Sequence, residues 1–420
     1  MKKKKIAVIG SGISGLSCAW HLSKKFEVHL FEKNNYFGGH SNTQKVCLKN
    51  NKELFVDTGF IVFNNENYKN LISFFKFLKI QSIETDMSFS VSMSSKSFEY
   101  GGKNLDTIFA QRKNIFSKKF WVMLYEITKF YKTAKKHVKK FEKKTIYDYL
   151  ITNSYSKFFI NNHIFPMAAS IWSAPIHEIK KFPFDKFIQF FENHGLLKIR
   201  KRPKWRTVLN GSQEYVKKII SDYKIISHLN KTVHKIVRGK KILLFTSQGK
   251  ETFDEVVLAC HSNQSLNLIE EPTYEERFFL SKIRYQKNVV WLHCDEYFMP
   301  KIKKVWSSWN FLDFGTNNLC VTYWMNKLQD LKTNQQFFVS LNLPKSPSKN
   351  KRFKKIIYSH PIFDHSAIKG QIGLKAIQGK NNTWFCGAYL GYGFHEDGIS
   401  SSLKVAKKIY EVEKENFRPL

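Results

Sequence analysis

The sequence has few cysteines, few arginines and no long apolar run. Its six cysteines lie far apart without a CxxC pair, which argues against a disulfide framework and a zinc site and favours a reducing compartment. No stretch approaches the roughly 18 apolar residues that span a bilayer. The lysine-rich start imitates a secretory signal, but glycines interrupt its apolar run and no small-residue cleavage site follows. We therefore expect a cytoplasmic protein.

Negative charge is also scarce. Basic residues outnumber acidic ones by 69 to 34, which gives a net charge of +35, yet only nine of the basic residues are arginine. Readers of nucleic acid favour arginine, because its guanidinium makes bidentate contacts that an ammonium cannot make. The charge therefore indicates lysines on a solvated surface, where they could attract an anionic membrane, and argues against nucleic-acid binding.

At 420 residues with 15% aromatic residues, the chain is long enough to bury a substantial core. Its first part predicts a strand over residues 6–9, a helix over 16–24 and a second strand over 28–31 that ends on Glu32. The turn between the first strand and the helix has three glycines in the spacing GxGxxG: Gly10, Gly12 and Gly15.

Each glycine of this turn has a mechanical reason. Gly10 allows the tight turn, Gly12 lets the backbone approach a pyrophosphate, and Gly15 lets the helix pack closely on the strand. The helix N-terminus then faces the phosphates with its free N–H groups. Glu32 can accept hydrogen bonds from the ribose hydroxyls. The pattern predicts a dinucleotide site.

A second glycine motif favours FAD over NAD. The doublet Gly38-Gly39 comes six residues after Glu32, followed by His40 and then by the segment 56–59, Val-Asp-Thr-Gly. A glycine pair there lets a second loop pass close to the bound dinucleotide, which a simple NAD fold does not require.

These residues resemble the amino-terminal signature of the flavin-containing amine oxidase and phytoene desaturase superfamily: a GxGxxG turn, an acid ending the second strand, and GG followed by a basic residue. The resemblance continues at residues 211–216, 229–233 and 383–388, with Gly398 opening a helix. It implies FAD as cofactor and an α/β fold. In that fold, an FAD-binding Rossmann-like domain of the glutathione-reductase type is assembled from discontinuous segments and joined to an α+β substrate domain of amine-oxidase type.

A closer resemblance is to predicted FAD-binding proteins associated with cyclopropane-fatty-acid synthase-like enzymes. It rests on segments that span nearly the whole chain: residues 56–64, 87–92, 166–173, 191–197, 202–207, 257–261 and 384–398.

The chain is thereby predicted to divide into two domains. The FAD-binding domain comprises residues 1–66, 205–262 and 370–420, and the substrate domain comprises 67–204 and 263–369.

The motifs and the resemblance together give these cofactor-binding candidates: Gly10, Gly12, Ser14, Gly15, Glu32, Lys33, Gly38, Gly39, His40, Thr58, Gly59, Phe60, Val233, Gly387, Gly398 and Ile399. The resemblance implies that Val233 contacts the adenine through its backbone. It also implies that the amides of a helix beginning at about Gly398 stabilise the negative charge of reduced flavin. This chain has Ala388 where the superfamily usually has an acid, which leaves the ribityl contact to the backbone or to another residue.

The catalytic candidates between the last strand and the flavin-facing helix are Tyr392, Phe394 and His395. The aromatic residues could sandwich a substrate, while His395 or Glu396 could move a proton; alternatively, His395, Glu396 and Asp397 only cap the helix. Lys287 lies near the point where many amine oxidases hold a lysine that positions a water, but the poor match in so lysine-rich a chain favours coincidence. Further residues that could line the substrate cavity or pack in the core are Trp172, His194 and Trp205.

A basic amphipathic helix is predicted from about Phe116 to Lys144, with apolar residues at spacings of three and four on one face and lysines on the other. Its apolar face could lie on an anionic membrane, with the protein then peripheral on the inner face of that membrane. Alternatively, it packs on its own domain.

The leading functional expectation is an FAD-dependent oxidoreductase that removes a hydride from a small-molecule or lipid substrate, with an acyl chain implied by the closer resemblance. The enzymatic alternative is an amine oxidase, although a net charge of +35 attracts cationic amines poorly. The alternative of another class is a flavin-binding, membrane-associated module without catalysis. The sequence indicates no oligomeric state.

Overall fold

The structure is a computed structural model and describes residues 3–48, 51–93, 97–198, 202–221, 224–315 and 319–418. Within these ranges the strands are β1 Lys5–Ile9, β2 Glu27–Phe31, β3 Thr43–Cys47, β4 Glu53–Asp57, β5 Phe63–Asn64, β6 Ser82–Thr85, β7 Phe89–Met93, β8 Phe98–Gly101, β9 Trp205–Val208, β10 Ile225–His228, β11 Val233–Arg238, β12 Ile242–Thr246, β13 Gly249–Phe253, β14 Glu255–Leu258, β15 Tyr285–His293, β16 Trp309–Asp313, β17 Cys320–Trp324, β18 Phe338–Leu341, β19 Arg352–Pro361 and β20 Thr383–Phe385.

The α-helices of the same ranges are α1 Ile13–Leu22, α2 Lys69–Phe77, α3 Leu105–Ile108, α4 Lys118–Thr133, α5 Ile146–Thr152, α6 Lys157–Phe159, α7 Phe165–Trp172, α8 Ile176–Ile179, α9 Phe184–Asn193, α10 Gln213–Ile220, α11 Ser262–Leu268, α12 Tyr274–Ser281, α13 Met325–Leu328, α14 His365–Ala376 and α15 His395–Val412. Shorter helical turns lie at Arg112–Phe116, Ala134–His137, Lys139–Phe141, Ile160–Ile164, Glu296–Phe298, Lys303–Val305, Lys349–Lys351, Lys380–Asn382 and Ala388–Leu390.

A parallel sheet with the strand order β10-β2-β1-β14-β20 forms the first layer of the described structure. Its central strand β1 is apolar because it is covered on both faces, as parallel strands usually are. The helix α1 is buried along its whole length and packs on α15, where the hydroxyl oxygens of Ser17 and Ser402 lie 2.5 Å apart. The first and last parts of the chain therefore meet beside the carboxyl ends of the parallel strands.

A larger mixed sheet forms the second layer, in the order β19-β15-β18-β17-β16-β7-β8. All neighbouring pairs are antiparallel except β7 and β16. Helices from α4 to α9 contribute their aromatic and aliphatic side chains to the same core as this sheet. Among the described strands, the antiparallel meander β11-β12-β13 and the hairpin β3-β4 are separate smaller sheets, as is the group β5-β9-β6.

The strands of the parallel sheet all fall in the segments that the sequence assigns to the FAD-binding domain, and those of the larger sheet fall in the segments assigned to the substrate domain. The domain boundaries themselves stay a prediction.

The amphipathic segment differs from the expectation in two ways. The α-helix covers only Lys118–Thr133, and short 3₁₀ turns follow it. Its apolar face, with Phe120 and Phe130 fully buried, packs on the larger sheet and the neighbouring helices, with the ring of Phe120 lying 5.8 Å from that of Tyr100. The interpretation of this face as a membrane contact is therefore wrong, and the alternative that it packs on its own domain is confirmed. No helix in the described ranges is both long and apolar enough to cross a membrane.

The last helix begins one turn earlier than expected, at His395 rather than at about Gly398. The backbone N–H of Gly398 donates to the carbonyl of Phe394 at 3.0 Å, so it is already a helical hydrogen bond rather than a free amide. The side chains of Glu396 and Asp397, expected as possible caps, lie in this first turn. Asp397 accepts from the N–H of Phe394 at 3.0 Å, and burial raises the pKa of Asp397 to about 6.

Candidate functional site

A cavity of about 1400 Å³ runs from the carboxyl ends of the parallel strands into the aromatic interior beside the larger sheet. Most of the predicted site residues line it: Gly10, Gly12, Ser14, Glu32, Lys33, Gly39, His40, Gly59, Phe60, Val233, Gly387, Tyr392, Phe394 and His395. Trp172, His194 and Trp205 line its other half. We call the half with the glycine turn the dinucleotide half and the half with the tryptophans the substrate half.

The glycines of the first turn face different surroundings. A Cβ on Gly15 would overlap with the carbonyl oxygen of Gly10, so Gly15 allows the close approach of helix and strand and does not line the cavity. A Cβ on Gly12 would meet no atom within 4 Å, because it would stand in the cavity. Gly10 has φ +101°, a left-handed conformation that favours glycine. Gly12 alone of the three therefore keeps space open for a ligand.

The N-terminus of α1 opens onto the same space. Its N-cap is Gly12, which has no side chain that could accept from the first amides, and the first turn contains no acidic residue. The first backbone N–H groups of a helix have no intrahelical partner and carry partial positive charge. This end of the cavity is therefore built to receive an anionic group such as a diphosphate.

The second glycine loop lies directly on the first. A Cβ on Gly39 would lie 3.1 Å from the Cα of Gly12, and the N–H of Gly38 donates to the carbonyl of Ser11 at 3.0 Å. Gly38 itself does not line the cavity. The glycine pair therefore brings the second loop against the first turn, while the contact of this loop with a bound dinucleotide stays a prediction.

Glu32 lies at the end of β2 and lines the cavity. One carboxylate oxygen accepts from the N–H of Ser11 at 3.1 Å and from its hydroxyl at 2.5 Å, and the other accepts from the N–H of Asn34 at 2.8 Å. These bonds fix the carboxylate at the mouth of the turn, where ribose hydroxyls could share it.

The remaining predicted residues lie outside the cavity lining. Thr58 bonds to the carbonyl of Asn42 at 2.8 Å. A Cβ on Gly398 would lie 2.7 Å from Ile13, so this glycine allows α15 to approach α1, and Ile399 is buried in the core. Lys287 is exposed on β15, which removes it from the catalytic candidates.

Aromatic side chains define the substrate half near α15. Phe394 stacks on Phe190 with ring centroids 5.0 Å apart, and His194 stacks on the same ring at 3.9 Å. The hydroxyl of Tyr392 donates to Gln189 at 2.8 Å. Burial lowers the pKa of His194 to about 4, so this ring is neutral at physiological pH. The wall is therefore uncharged here.

A histidine pair that sequence reasoning did not assemble bridges the two halves. The Nε2 atoms of His40 and His360 lie 3.2 Å apart, and the Nδ1 atom of His360 lies 2.9 Å from the amide nitrogen of Asn288. The amide oxygen of Asn288 accepts from Asn342, so its nitrogen is the donor to His360. His360 therefore carries its proton on Nε2 and donates it to His40. Burial lowers the pKa of His360 to about 4, and that of His40 well below its usual range.

His395 is a further neutral histidine near the glycine loop. Its Nε2 atom lies 2.9 Å from the hydroxyl of Ser41, and its ring stacks on Phe60 with centroids 3.6 Å apart. Burial lowers the pKa of His395 to about 3. At neutral pH, this side chain is therefore uncharged and carries a single ring N–H.

One group of possible metal ligands lies outside the cavity lining in the described ranges. The ligand atoms of His29, His228 and Glu251 all lie within 4.8 Å of one another. Each already has a protein partner: His29 lies 3.0 Å from His228 and 3.0 Å from Glu27, and the ammonium of Lys231 lies 2.6 Å from Glu251. The lysine holds the carboxylate that a cation would need, so these residues form a polar network.

Comparisons with known proteins identify the fold. A family model described as NAD(P)-binding Rossmann-like domain matches residues 8–78. One similar solved structure is a protein from Exiguobacterium sp. 255-15, provisionally named protoporphyrinogen oxidase, with 11% identity over 98% of this chain and 100% of that chain and a TM-score of 0.69. Another is a CLA-producing fatty acid isomerase from P. acnes, with 15% identity, 98% and 99% coverage and a TM-score of 0.65. A third is cyclohexylamine oxidase from Brevibacterium oxydans IH-35A, with 12% identity, 98% and 100% coverage and a TM-score of 0.66.

A comparison with curated proteins finds no match. The structural likeness confirms the expected fold class, a Rossmann-like α/β domain within an amine-oxidase-type architecture that covers nearly the whole chain. At 11 to 15% identity, it shows the fold alone. The closer resemblance to proteins associated with cyclopropane-fatty-acid synthase-like enzymes stays a prediction.

Proposed function

We propose that the protein is an FAD-dependent oxidoreductase that removes a hydride from an apolar substrate, the acyl chain of a fatty acid or phospholipid. The observation that carries this proposal is the continuity of the cavity, which joins a glycine-lined anion site to an apolar chamber. The solved structures with the same fold include an amine oxidase and a fatty acid isomerase.

The residues of the dinucleotide half fit FAD. The space left by Gly12, the free amides of α1 and the fixed carboxylate of Glu32 suit a diphosphate and a ribose respectively. Bound FAD would supply the hydride acceptor. The protein would orient the substrate, exclude water and handle the proton.

If the hydride leaves one carbon of the acyl chain and a proton leaves the adjacent carbon, a double bond forms between them, and a neutral histidine could take up that proton. If the Nε2–H of His395 donates to Ser41, its Nδ1 atom is free to accept a proton. His40 is not a second candidate, because its Nε2 atom already accepts from His360 and its other ring nitrogen carries the proton. A general base works best with a pKa near the working pH, so the pKa of about 3 that burial gives His395 makes it a weak proton acceptor.

The charge of the substrate half favours an apolar substrate over an amine. The acidic residues on that side of the described lining are Glu84 and Asp86. Glu84 lies 3.1 Å from the ammonium of Lys204, and Asp86 lies 3.2 Å from that of Lys327. Both carboxylates are therefore already paired with lysines, which leaves little attraction for a substrate ammonium.

Anaerobic mixing of the flavin-loaded protein with defined lipids tests the proposal. Loss of the oxidised flavin's visible absorbance with an acyl lipid, but not with putrescine or cyclohexylamine, would support it. Bleaching by an amine beside an unchanged spectrum with every lipid would establish the amine-oxidase alternative. Reduction by dithionite but by no candidate donor would favour a binding module without catalysis.

A further inference from the structure

An exposed apolar surface lies at the start of α4, on the side opposite to its buried stripe. Its members are large apolar side chains on α3, on the turn before α4 and on the first half of α4: Leu105, Ile115, Phe116, Trp121, Val122 and Tyr125. We call this surface the 105–125 face. Phe116 is 89% exposed, Leu105 72% and Tyr125 67%. Single exposed apolar residues are ordinary, but a group of this kind marks an interaction surface.

The face is held in place by the fold. The indole N–H of Trp121 donates to the carbonyl of Ile115 at 2.8 Å, and the indole ring contacts Phe109 with centroids 5.2 Å apart. These contacts tie the turn before α4 to the helix. The exposed side chains therefore project from a defined scaffold.

Positive charge is concentrated along the segment that carries these side chains. Residues 103–140 contain eleven lysines and arginines but only two acids. Glu126 is buried and accepts from the N–H of Ser156 at 2.7 Å, while Asp106 lies 3.1 Å from Arg112 and 3.2 Å from Lys304. With both acids engaged, the rim of the face presents lysines to solvent.

The other side of the same helix lines the substrate half of the cavity. Leu124, Ile127 and Tyr131 of α4 and Ile108 of α3 are lining residues, and so is the exposed Lys103. Only the thickness of α4 separates the 105–125 face from the apolar chamber. A surface placed against this face is therefore next to the site.

We propose that the 105–125 face docks on the surface of an anionic phospholipid bilayer. Aromatic and aliphatic side chains would enter the headgroup region, where tryptophan and tyrosine are favoured, while the surrounding lysines contact lipid phosphates. The combination of an apolar centre and a basic rim suits this partner. The purpose of docking, delivery of an acyl chain to the cavity, rests on the proposed function; the docking itself does not.

Sedimentation of the flavin-loaded protein with vesicles tests the proposal. We expect binding to vesicles of equal parts phosphatidylcholine and phosphatidylglycerol, and little binding to phosphatidylcholine alone. The triple variant Leu105→Gln, Phe116→Gln, Tyr125→Gln should bind the anionic vesicles at least about tenfold more weakly, because docking would no longer bury these three apolar side chains. The matched control is Tyr274→Gln, Tyr297→Gln, Val412→Gln, which alters three exposed apolar residues elsewhere and should bind like the wild type.

Several outcomes would overturn the docking. One such outcome is a wild type that fails to bind anionic vesicles, and another is equal binding by the two triple variants. If the first triple variant binds normally and duplex DNA displaces the vesicles completely, the binding is due to charge attraction alone. Flavin content and anaerobic reduction by detergent-dispersed lipid are measured on the same samples. A protein that is reduced by lipid but does not sediment refutes docking only, whereas one that sediments but is reduced by no lipid refutes the proposed function only.

Discussion

The two halves of the cavity are specified in opposite ways. The dinucleotide half depends on side chains that are missing, because its turn and second loop touch at glycines, with Gly39 against the Cα of Gly12. The substrate half depends on large side chains, among them Phe190 and Phe394, brought together from distant segments. An added methyl group should therefore strongly impair folding or FAD binding in the first half, whereas the second half should tolerate a change of similar size.

The largest effect is expected for Gly15→Ala. The new Cβ would overlap with the carbonyl oxygen of Gly10, and neither backbone segment can move without disturbing the parallel sheet. We expect the flavin-free variant to lose more than about 3 kcal/mol of unfolding free energy, or not to fold. Urea unfolding measures this loss. A variant as stable as the wild type would show that the turn is looser than the structure has it.

His21 lies on α1, outside the cavity lining, and tests by pH how tightly the helix behind the dinucleotide half is packed. Both of its ring nitrogens are buried without a partner among the described residues, and burial lowers the pKa of His21 to about 3. Below the ordinary value of 6.5 the unfolded chain takes up a proton that the folded chain cannot, so stability falls as the pH drops toward the folded pKa.

We therefore expect His21→Phe to lose less stability than the wild type on acidification. Between pH 7 and pH 5 the difference in unfolding free energy should move by about 2 kcal/mol in favour of the variant, at 1.36 kcal/mol per pH unit below 6.5. Denaturant unfolding at both pH values measures it. Equal acid sensitivity of the two proteins would mean that His21 finds a partner or becomes protonated in the folded state.

Gly12→Ala should separate binding from folding. Its φ of −66° is open to alanine and its Cβ meets no atom, so stability should change by less than about 0.5 kcal/mol. The methyl group would occupy the space for a diphosphate, and FAD affinity should fall at least about tenfold. Fluorescence titration measures this affinity. Gly239→Ala, at a turn outside the cavity lining, is the control and should bind FAD normally.

The smallest effect is expected for Phe394→Leu in the substrate half. FAD affinity should stay within about twofold, while reduction by the lipid donor slows about fivefold because the stacked wall with Phe190 is lost. Stopped-flow reduction gives the rate, and Phe353→Leu, outside the lining, is the control. If FAD binding failed in this variant, the two halves would not be separable.

The dinucleotide half was predictable because its signals are local. Its three signals all lie within the first 40 residues: the GxGxxG spacing, the acid that ends β2 and the following glycine pair. Each of them has a single steric or electrostatic reason. Gly398, expected to open the flavin-facing helix, instead lies within the first turns of α15 and lets that helix approach α1.

The substrate half was less predictable because its contacts are long-range. His40 and His360 are 320 residues apart, and no local sequence pattern predicts their contact. Side chains alternate along β15 between the buried and the exposed face of the sheet. Asn288 points to the buried face and bonds His360, so its neighbour Lys287 points to solvent. For α4, periodicity identified the apolar stripe correctly, but apolar residues have the same spacing in a helix that faces a core and in one that faces a membrane.

Binding of FAD to flavin-free protein tests the central claim most directly. Titration of the wild type, Gly12→Ala and Gly239→Ala in parallel should show one FAD per chain for the wild type and Gly239→Ala, with at least about tenfold weaker binding for Gly12→Ala. A protein that takes up no FAD, or that binds it equally well with a methyl group at position 12, would contradict the assignment of the cavity.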